Sequence, residues 1–152
     1  MVDMGRRTHK GTFKPKNPGK YAGNSSNIVY RSGWEKKFML FLDSHPDILE
    51  WSSEEVQIPY RSPIDGRIHR YFPDFKVKKR SIDGKIETLI IEIKPESQTK
   101  EPTKRTKVTQ KYINEVVEWG RNSAKWAAAN EYCLDRNIKF QILTEKDLGI
   151  KY

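Results

Sequence analysis

The spacing of apolar positions changes several times along the chain, and each change marks an element. In residues 33–43, Trp34, Phe38, Phe41 and Leu42 fall on one arc at roughly 100° per residue, which predicts a helix. Met39 extends that arc, Ser32 stands as its N-cap, and His45-Pro46 stops it. Beyond it, Ile48-Leu49-Glu50-Trp51 and Glu55-Val56-Gln57-Ile58-Pro59-Tyr60 predict one irregular strand, broken near Ser52-Ser53. A turn holding Asp65-Gly66 leads into a strand over residues 68–78, and a second, Asp83-Gly84, leads into a strand over residues 85–94. Residues 95–109 are polar and basic and predict a mobile loop. A long helix follows over residues 108–134, with Tyr112, Val116, Trp119, Trp126, Ala127 and Leu134 on its apolar face. Ile138-Lys139-Phe140-Gln141-Ile142-Leu143 predicts a final strand, and Thr144-Glu145-Lys146-Asp147 a cap opening a terminal helical turn. The order αβββαβ predicts an α/β fold, one sheet covered by helices.

Composition narrows the partners. A chain of 152 residues suits one domain. Lys and Arg number 29 against 20 Asp and Glu, a net charge of +9. That suits a polyanion, nucleic acid before membrane, since no long apolar segment is present. Residues 1–27 carry Arg6, Arg7, Lys10, Lys14, Lys16 and Lys20 against one acid, Asp3, with no apolar period. They predict a basic, flexible arm touching phosphates or another subunit, or a solvated tail, ahead of a domain over residues 28–152. The lone Cys133 excludes an intrachain disulfide and fits a reducing interior. The first residues lack the apolar run of a secretory signal.

Charge at strand positions then supplies candidate chemistry. Asp74 lies in Tyr71-Phe72-Pro73-Asp74-Phe75, and Glu92 and Lys94 in Leu89-Ile90-Ile91-Glu92-Ile93-Lys94. Ionised groups on half-buried strands are costly unless paired or bound to a metal. Alternation puts Tyr71, Pro73, Phe75 and Val77 on one face and Asp74 on the other. Leu89, Ile91 and Ile93 likewise face away from Glu92 and Lys94. If the Asp83-Gly84 hairpin pairs these strands, one register places Asp74 beside Glu92. Two carboxylates with a backbone carbonyl such as that of Ile93 form a hard oxygen site for magnesium or manganese. The histidines His9, His45 and His69 show no zinc spacing. Such a site suits phosphodiester hydrolysis, with Lys94 beside the attacking water and the phosphate. The competing reading is a cross-strand salt bridge on a solvated sheet face. Glu35 lies inside the apolar arc of the first helix and could complete the site. Ser32-x-x-Glu35 is equally a capping box, and the helix alone does not choose between the two.

DNA contacts have candidates on two segments. Arg61, Arg67, His69 and Arg70 cluster around the Asp65-Gly66 turn, and Lys100, Lys104, Arg105 and Lys107 follow the Glu-x-Lys strand. Both could track a phosphate backbone, with salt-sensitive and largely sequence-blind affinity. Lys125, off the apolar face of the long helix, is a weaker candidate. The four tryptophans read as core.

These residues also carry a resemblance. Glu35 on a helix, Pro73-Asp74 and Glu92-Ile93-Lys94, in αβββαβ order, resemble the PD-(D/E)-x-K nuclease superfamily. Tyr71-Phe72-Pro73-Asp74-Phe75 ahead of Glu92-Ile93-Lys94-Pro95 is similar to the endonuclease subunit of heteromeric transposases. Tyr30-Arg31-Ser32-Gly33-Trp34-Glu35, Ile58-Pro59-Tyr60-Arg61-Ser62-Pro63 and His69-Arg70-Tyr71-Phe72-Pro73-Asp74-Phe75 resemble the head completion nucleases of large contractile-tailed bacteriophages. That resemblance spans residues 30–149. It implies a restriction-endonuclease-like core with a central mixed sheet flanked by helices. It also implies a magnesium-dependent nuclease, with manganese as a substitute and with endonuclease and exonuclease activity. Such an enzyme would act on double-stranded DNA in the host cytoplasm during phage assembly. It would process packaged DNA so that head and tail join, with head, portal or neck proteins as partners; association with the virion stays open. By matching position, Glu35, Asp74, Glu92 and Lys94 become the catalytic set. Two alternatives remain: a branched-DNA resolvase or transposase-type endonuclease with the same site, and a structural head-tail connector with a vestigial one.

Overall fold

Ser32 fixes where the first helix begins. In the computed structural model, which describes residues 10–149, Ser32 Oγ accepts the Glu35 N–H at 3.1 Å, and helix α1 runs Gly33–Ser44. A side-chain acceptor at this position satisfies one of the backbone donors that a helix start leaves unpaired. Ahead of it lie two short antiparallel strands, β1 (Gly11–Phe13) and β2 (Ile28–Tyr30). After it come β3 (Ile48–Ser53), β4 (Ile58–Arg61), β5 (Ile68–Tyr71), β6 (Phe75–Arg80) and β7 (Ile86–Ile93). The long helix α2 (Gln110–Asp135) and strand β8 (Lys139–Leu143) complete the order.

The central sheet has the order β3-β6-β7-β8. β6 pairs antiparallel with both β3 and β7, and β8 joins β7 in parallel, so the sheet is mixed. Without the β4–β5 hairpin, which forms its own two-stranded sheet, the sequence of core elements is the expected αβββαβ. Leu89, Ile91 and Ile93 pack with Trp34, Phe38, Met39 and Leu42 of α1 on one side. On the other side, Trp126 and Ala129 of α2 pack with Ile58, Tyr60 and Tyr71 of the hairpin. The turns follow the sequence: Gly66 and Gly84 take φ of 71° and 83°, the left-handed region that glycine enters without steric cost.

Three expectations change. Residues 48–60 form two strands in different sheets rather than one broken strand, with Glu54 at φ 55° where they part. Residues 68–78 also divide, at Phe72-Pro73-Asp74, because Pro73 has no N–H to continue a ladder. Buried and exposed residues still alternate through the break, yet the facing reverses: Tyr71 joins the α2 side while Phe75 and Val77 join the α1 side. On α2 the buried stripe is Asn122, Trp126, Ala129 and Cys133, whereas Val116, Ala127 and Leu134 are exposed. The cap predicted at Thr144-Glu145-Lys146-Asp147 is kept: the Thr144 N–H donates to Asp147 Oδ2 at 2.8 Å, the Lys146 N–H to Thr144 Oγ1 at 3.3 Å, and the Leu148 N–H to the Thr144 carbonyl at 3.2 Å, closing one turn.

The basic arm gives way from Lys10 onward; Arg6, Arg7 and His9 lie outside the described residues. Phe13 and Tyr21 are buried edge-on to the Trp51 ring at 5.8 and 4.8 Å, contacts worth about 0.5–1.5 kcal/mol each beyond the area they bury. Asp43, buried on α1, accepts the Lys16 and Asn17 N–H groups at 2.8 and 3.1 Å. Lys20 Nζ donates to the carbonyls of Asp43 and His45 at 3.0 and 2.8 Å, completing the helix end with a cation where the dipole favours one. This segment is part of the domain.

Candidate active site

The paired acids arise from strand register. β6 pairs with β7 through Phe75↔Ile91 and Lys76↔Ile90. Continued by one residue, that register sets Asp74 opposite Glu92. Asp74 Oδ2 accepts the Ile93 N–H at 2.7 Å, which fixes the acid at the mouth of the sheet. Glu92, 7% exposed, accepts the Tyr71 hydroxyl on Oε1 at 2.7 Å, and Lys94 Nζ stands 3.9 Å from its Oε2. One carboxylate oxygen is thus held by a neutral donor and the other faces a cation.

The electrostatics follow from this enclosure. Burial pushes the Asp74 carboxyl well above the usual carboxylate range, and the charges of Glu92 and Glu35 push it further, against the pull of the Ile93 N–H and Lys94. Burial also raises Glu92, opposed by the Tyr71 hydroxyl and by Lys94. The Tyr71 phenol is driven up by burial and by the Glu92 charge, so it stays a proton donor. Two neighbouring carboxylates, one buried and one half-buried, cannot both stay charged at low cost without a cation between them.

Glu35 is buried and plays the capping role that its spacing allowed. Its Oε1 accepts the Arg31 N–H at 3.2 Å, and its Oε2 lies 3.4 Å from the Ser32 hydroxyl. Its charge also reaches Asp74. Among the described residues, no three His, Cys, Asp or Glu side chains form a group that would hold a metal ion by themselves. The donor set on offer is therefore Asp74, Glu92 and main-chain oxygen such as that of Ile93, with Glu35 as a charged neighbour.

Two further residues belong here. Tyr71 was assigned by strand alternation to the face opposite Asp74, and the reversal at Pro73 turns it towards Glu92 instead. Lys125 is half-buried on α2, with Nζ 5.6 Å from the Tyr71 ring centroid and 5.9 Å from that of Tyr60. Burial and the nearby Lys94 charge lower its pKa, while Glu92 raises it. Its place off the apolar face makes it only a weaker DNA-contact candidate in the sequence; the fold sets it near Glu92 and Lys94.

The expected DNA contacts remain at the surface. Arg61, Arg67, His69 and Arg70 are exposed on the β4–β5 hairpin, with His69 bonded to Asp65 at 2.8 Å. Lys100, Lys104, Arg105 and Lys107 are exposed on the loop before α2. Lys100 lies 3.8 Å from Glu96, and Arg105 lies 3.7 Å from Glu115. No helix among the described residues is long and apolar enough to cross a membrane.

Comparison with known proteins gives the family. The family described as TnsA-like endonuclease N terminal matches residues 45–145, a span that holds Asp74, Glu92, Lys94 and Lys125 but not Glu35. The head completion nuclease of Enterobacteria phage T4 is 40% identical over 144 residues, covering 92% of this chain and 93% of that protein. The chain belongs to the TnsA-like endonuclease family and is a relative of that phage nuclease.

Proposed function

We propose that the chain is a divalent-cation-dependent DNA nuclease acting in phage head completion. One observation carries the reading: half-buried Asp74 and buried Glu92 are cross-strand neighbours, with Lys94 3.9 Å from Glu92. The donor set is all oxygen, which suits magnesium, with manganese as a substitute. The acid pair fits a cation because its own charges oppose each other. When bound, such an ion supplies acidification of water and neutralisation of phosphate charge.

The chain's own groups do the rest. Asp74 is oriented by the Ile93 N–H and Glu92 by the Tyr71 hydroxyl, so both acids are aimed before any ligand arrives. Lys94 orients the attacking water or meets the charge that develops on the phosphate. Lys125 adds a second cation from the helix side. Glu35 assists from the first turn of α1. The hairpin arginines and the loop lysines hold the duplex by its backbone.

The substrate is double-stranded DNA, cut internally and trimmed at its ends, in the host cytoplasm while particles assemble. The relative named head completion nuclease supports that setting. Head, portal or neck proteins would bring the enzyme to packaged DNA. The test is plasmid DNA incubated with purified chain, with and without magnesium, beside Asp74→Ala. Nicked and linear products should need both the ion and Asp74. Cleavage by purified Asp74→Ala at the unsubstituted rate would overturn the assignment.

A further inference from the structure

The β4–β5 hairpin has two unlike faces. Its register pairs Ile58 with Tyr71 and Tyr60 with His69; the intervening pairs are Pro59–Arg70 and Arg61–Ile68. Ile58, Tyr60 and Tyr71 are buried against Trp126 and Ala129 of α2. Pro59, Arg61, Ile68 and Arg70 are exposed, and so is Phe72, two residues before Asp74. Ile68 is 59% exposed, Phe72 43%, and Ile64 in the turn 52%. Three large apolar side chains stand in water on one short ribbon, which ends at Phe72 two positions before Asp74, and the folded core does not use them. Such a patch marks contact with a partner.

Charge identifies the partner. Between Ile58 and Phe72 the one acid is Asp65, and it is already engaged by His69 and by the Arg67 N–H. Arg61, Arg67 and Arg70 leave the hairpin strongly basic. Arg61 donates one nitrogen to the Gly66 carbonyl at 2.6 Å, and Arg70 donates one to Gln57 Oε1 at 3.4 Å. Each guanidinium is thereby aimed while keeping further donors. Apolar wedges flanked by arginines on a two-stranded ribbon match a DNA groove, where such wedges enter between base steps.

We propose that this outer face is a wedge that deforms DNA at the cut site. Arg61 and Arg70 grip the backbone, while Phe72 and Ile68 press against bases next to the bond held at Asp74 and Glu92. The proposal rests on the nuclease reading and deepens it by naming the substrate. Unstacking a base is cheapest where it is already mispaired or unpaired. The preferred substrate is therefore duplex DNA loosened at the scissile step, by a mismatch, a nick or a flap, over a fully paired duplex.

The test uses the full chain, duplexes carrying 2-aminopurine, and the variant Phe72→Ala combined with Ile68→Ala. Both positions are exposed, so the fold should survive, and a thermal melt verifies it. With calcium in place of magnesium, binding of the unsubstituted chain should raise 2-aminopurine fluorescence several-fold, and the double variant should lose that rise. With magnesium, a mismatched duplex should be cut about tenfold faster than a matched one, the scale of one lost base-stacking contact. The double variant should bring the two rates together. Equal rates on matched and mismatched duplexes for the unsubstituted chain, with no fluorescence change, would overturn the wedge. So would a double variant that keeps the preference but loses self-association in size-exclusion chromatography, which would make the face an interface between copies. Failure to cut any DNA strikes the nuclease reading instead, and the fluorescence arm then decides the wedge separately.

Discussion

Tyr71→Phe removes one oxygen from the site and leaves its packing in place. The ring stays buried among Ile58, Tyr60 and Trp126, and Lys125 keeps its position over it. What disappears is the 2.7 Å hydrogen bond to Glu92 Oε1. A hydrogen bond to a charged group contributes about 1.5–3 kcal/mol. Each 1.4 kcal/mol is a factor of ten. If that energy serves to hold Glu92 ionised and aimed, the magnesium concentration giving half-maximal cleavage should rise by about 10- to 100-fold, the range typical of groups that orient metal ligands. The pH dependence has a fixed sign. The Tyr71 hydroxyl favours the Glu92 carboxylate and opposes the upward push of burial. Without it the carboxyl titrates higher still, so more of it is protonated at a given pH. The acid limb of the pH–rate profile should therefore move to higher pH. Plasmid nicking measured across magnesium concentrations and pH reads both effects, and a thermal melt reports the fold. A Tyr71→Phe enzyme with the magnesium midpoint and acid limb of the unsubstituted chain would refute this reasoning.

Two other outcomes follow from the same geometry. Lys125→Met should lower the single-turnover cleavage rate by roughly 10- to 100-fold with little change in DNA affinity, and Lys125→Arg should restore part of it; an unchanged rate in the methionine variant removes Lys125 from the site. Asp43→Ala strips the acceptor from the Lys16 and Asn17 N–H groups and should cost about 2–4 kcal/mol of stability. Urea unfolding should show it as a lower midpoint at constant slope, and an unchanged midpoint would mean that the Asp43 carboxylate does not hold this segment to the domain.

The sequence revealed what is local. Ser32 and Glu35 announced the start of α1, and both Asp-Gly turns appear where their φ requirement placed them. The αβββαβ order and the face shared by Leu89, Ile91 and Ile93 were legible for the same reason. Tertiary consequences were harder to read. The two-residue rhythm runs unbroken from Tyr71 to Val77 in burial, so alternation could not register that the strand changes partners and faces at Pro73. Tyr71 was hidden by that reversal. Lys125 was legible only as a weaker DNA contact, because the neighbours that set it near the acid pair, Tyr60, Tyr71 and Lys94, are distant in the chain. Phe13 and Tyr21 sat among basic residues without a period, and only Trp51 shows why they are buried. On α2 the true stripe includes polar Asn122 and Cys133, which a search for large apolar side chains passes over.

Calorimetric titration of manganese into the metal-free chain, without DNA, addresses the acid pair with nothing else in the reaction. Saturable binding is expected for the unsubstituted chain, weakened at least about tenfold by Asp74→Asn and by Glu92→Gln, each of which keeps its side-chain shape. Isotherms that overlay for all three proteins would mean that no cation is held between these strands.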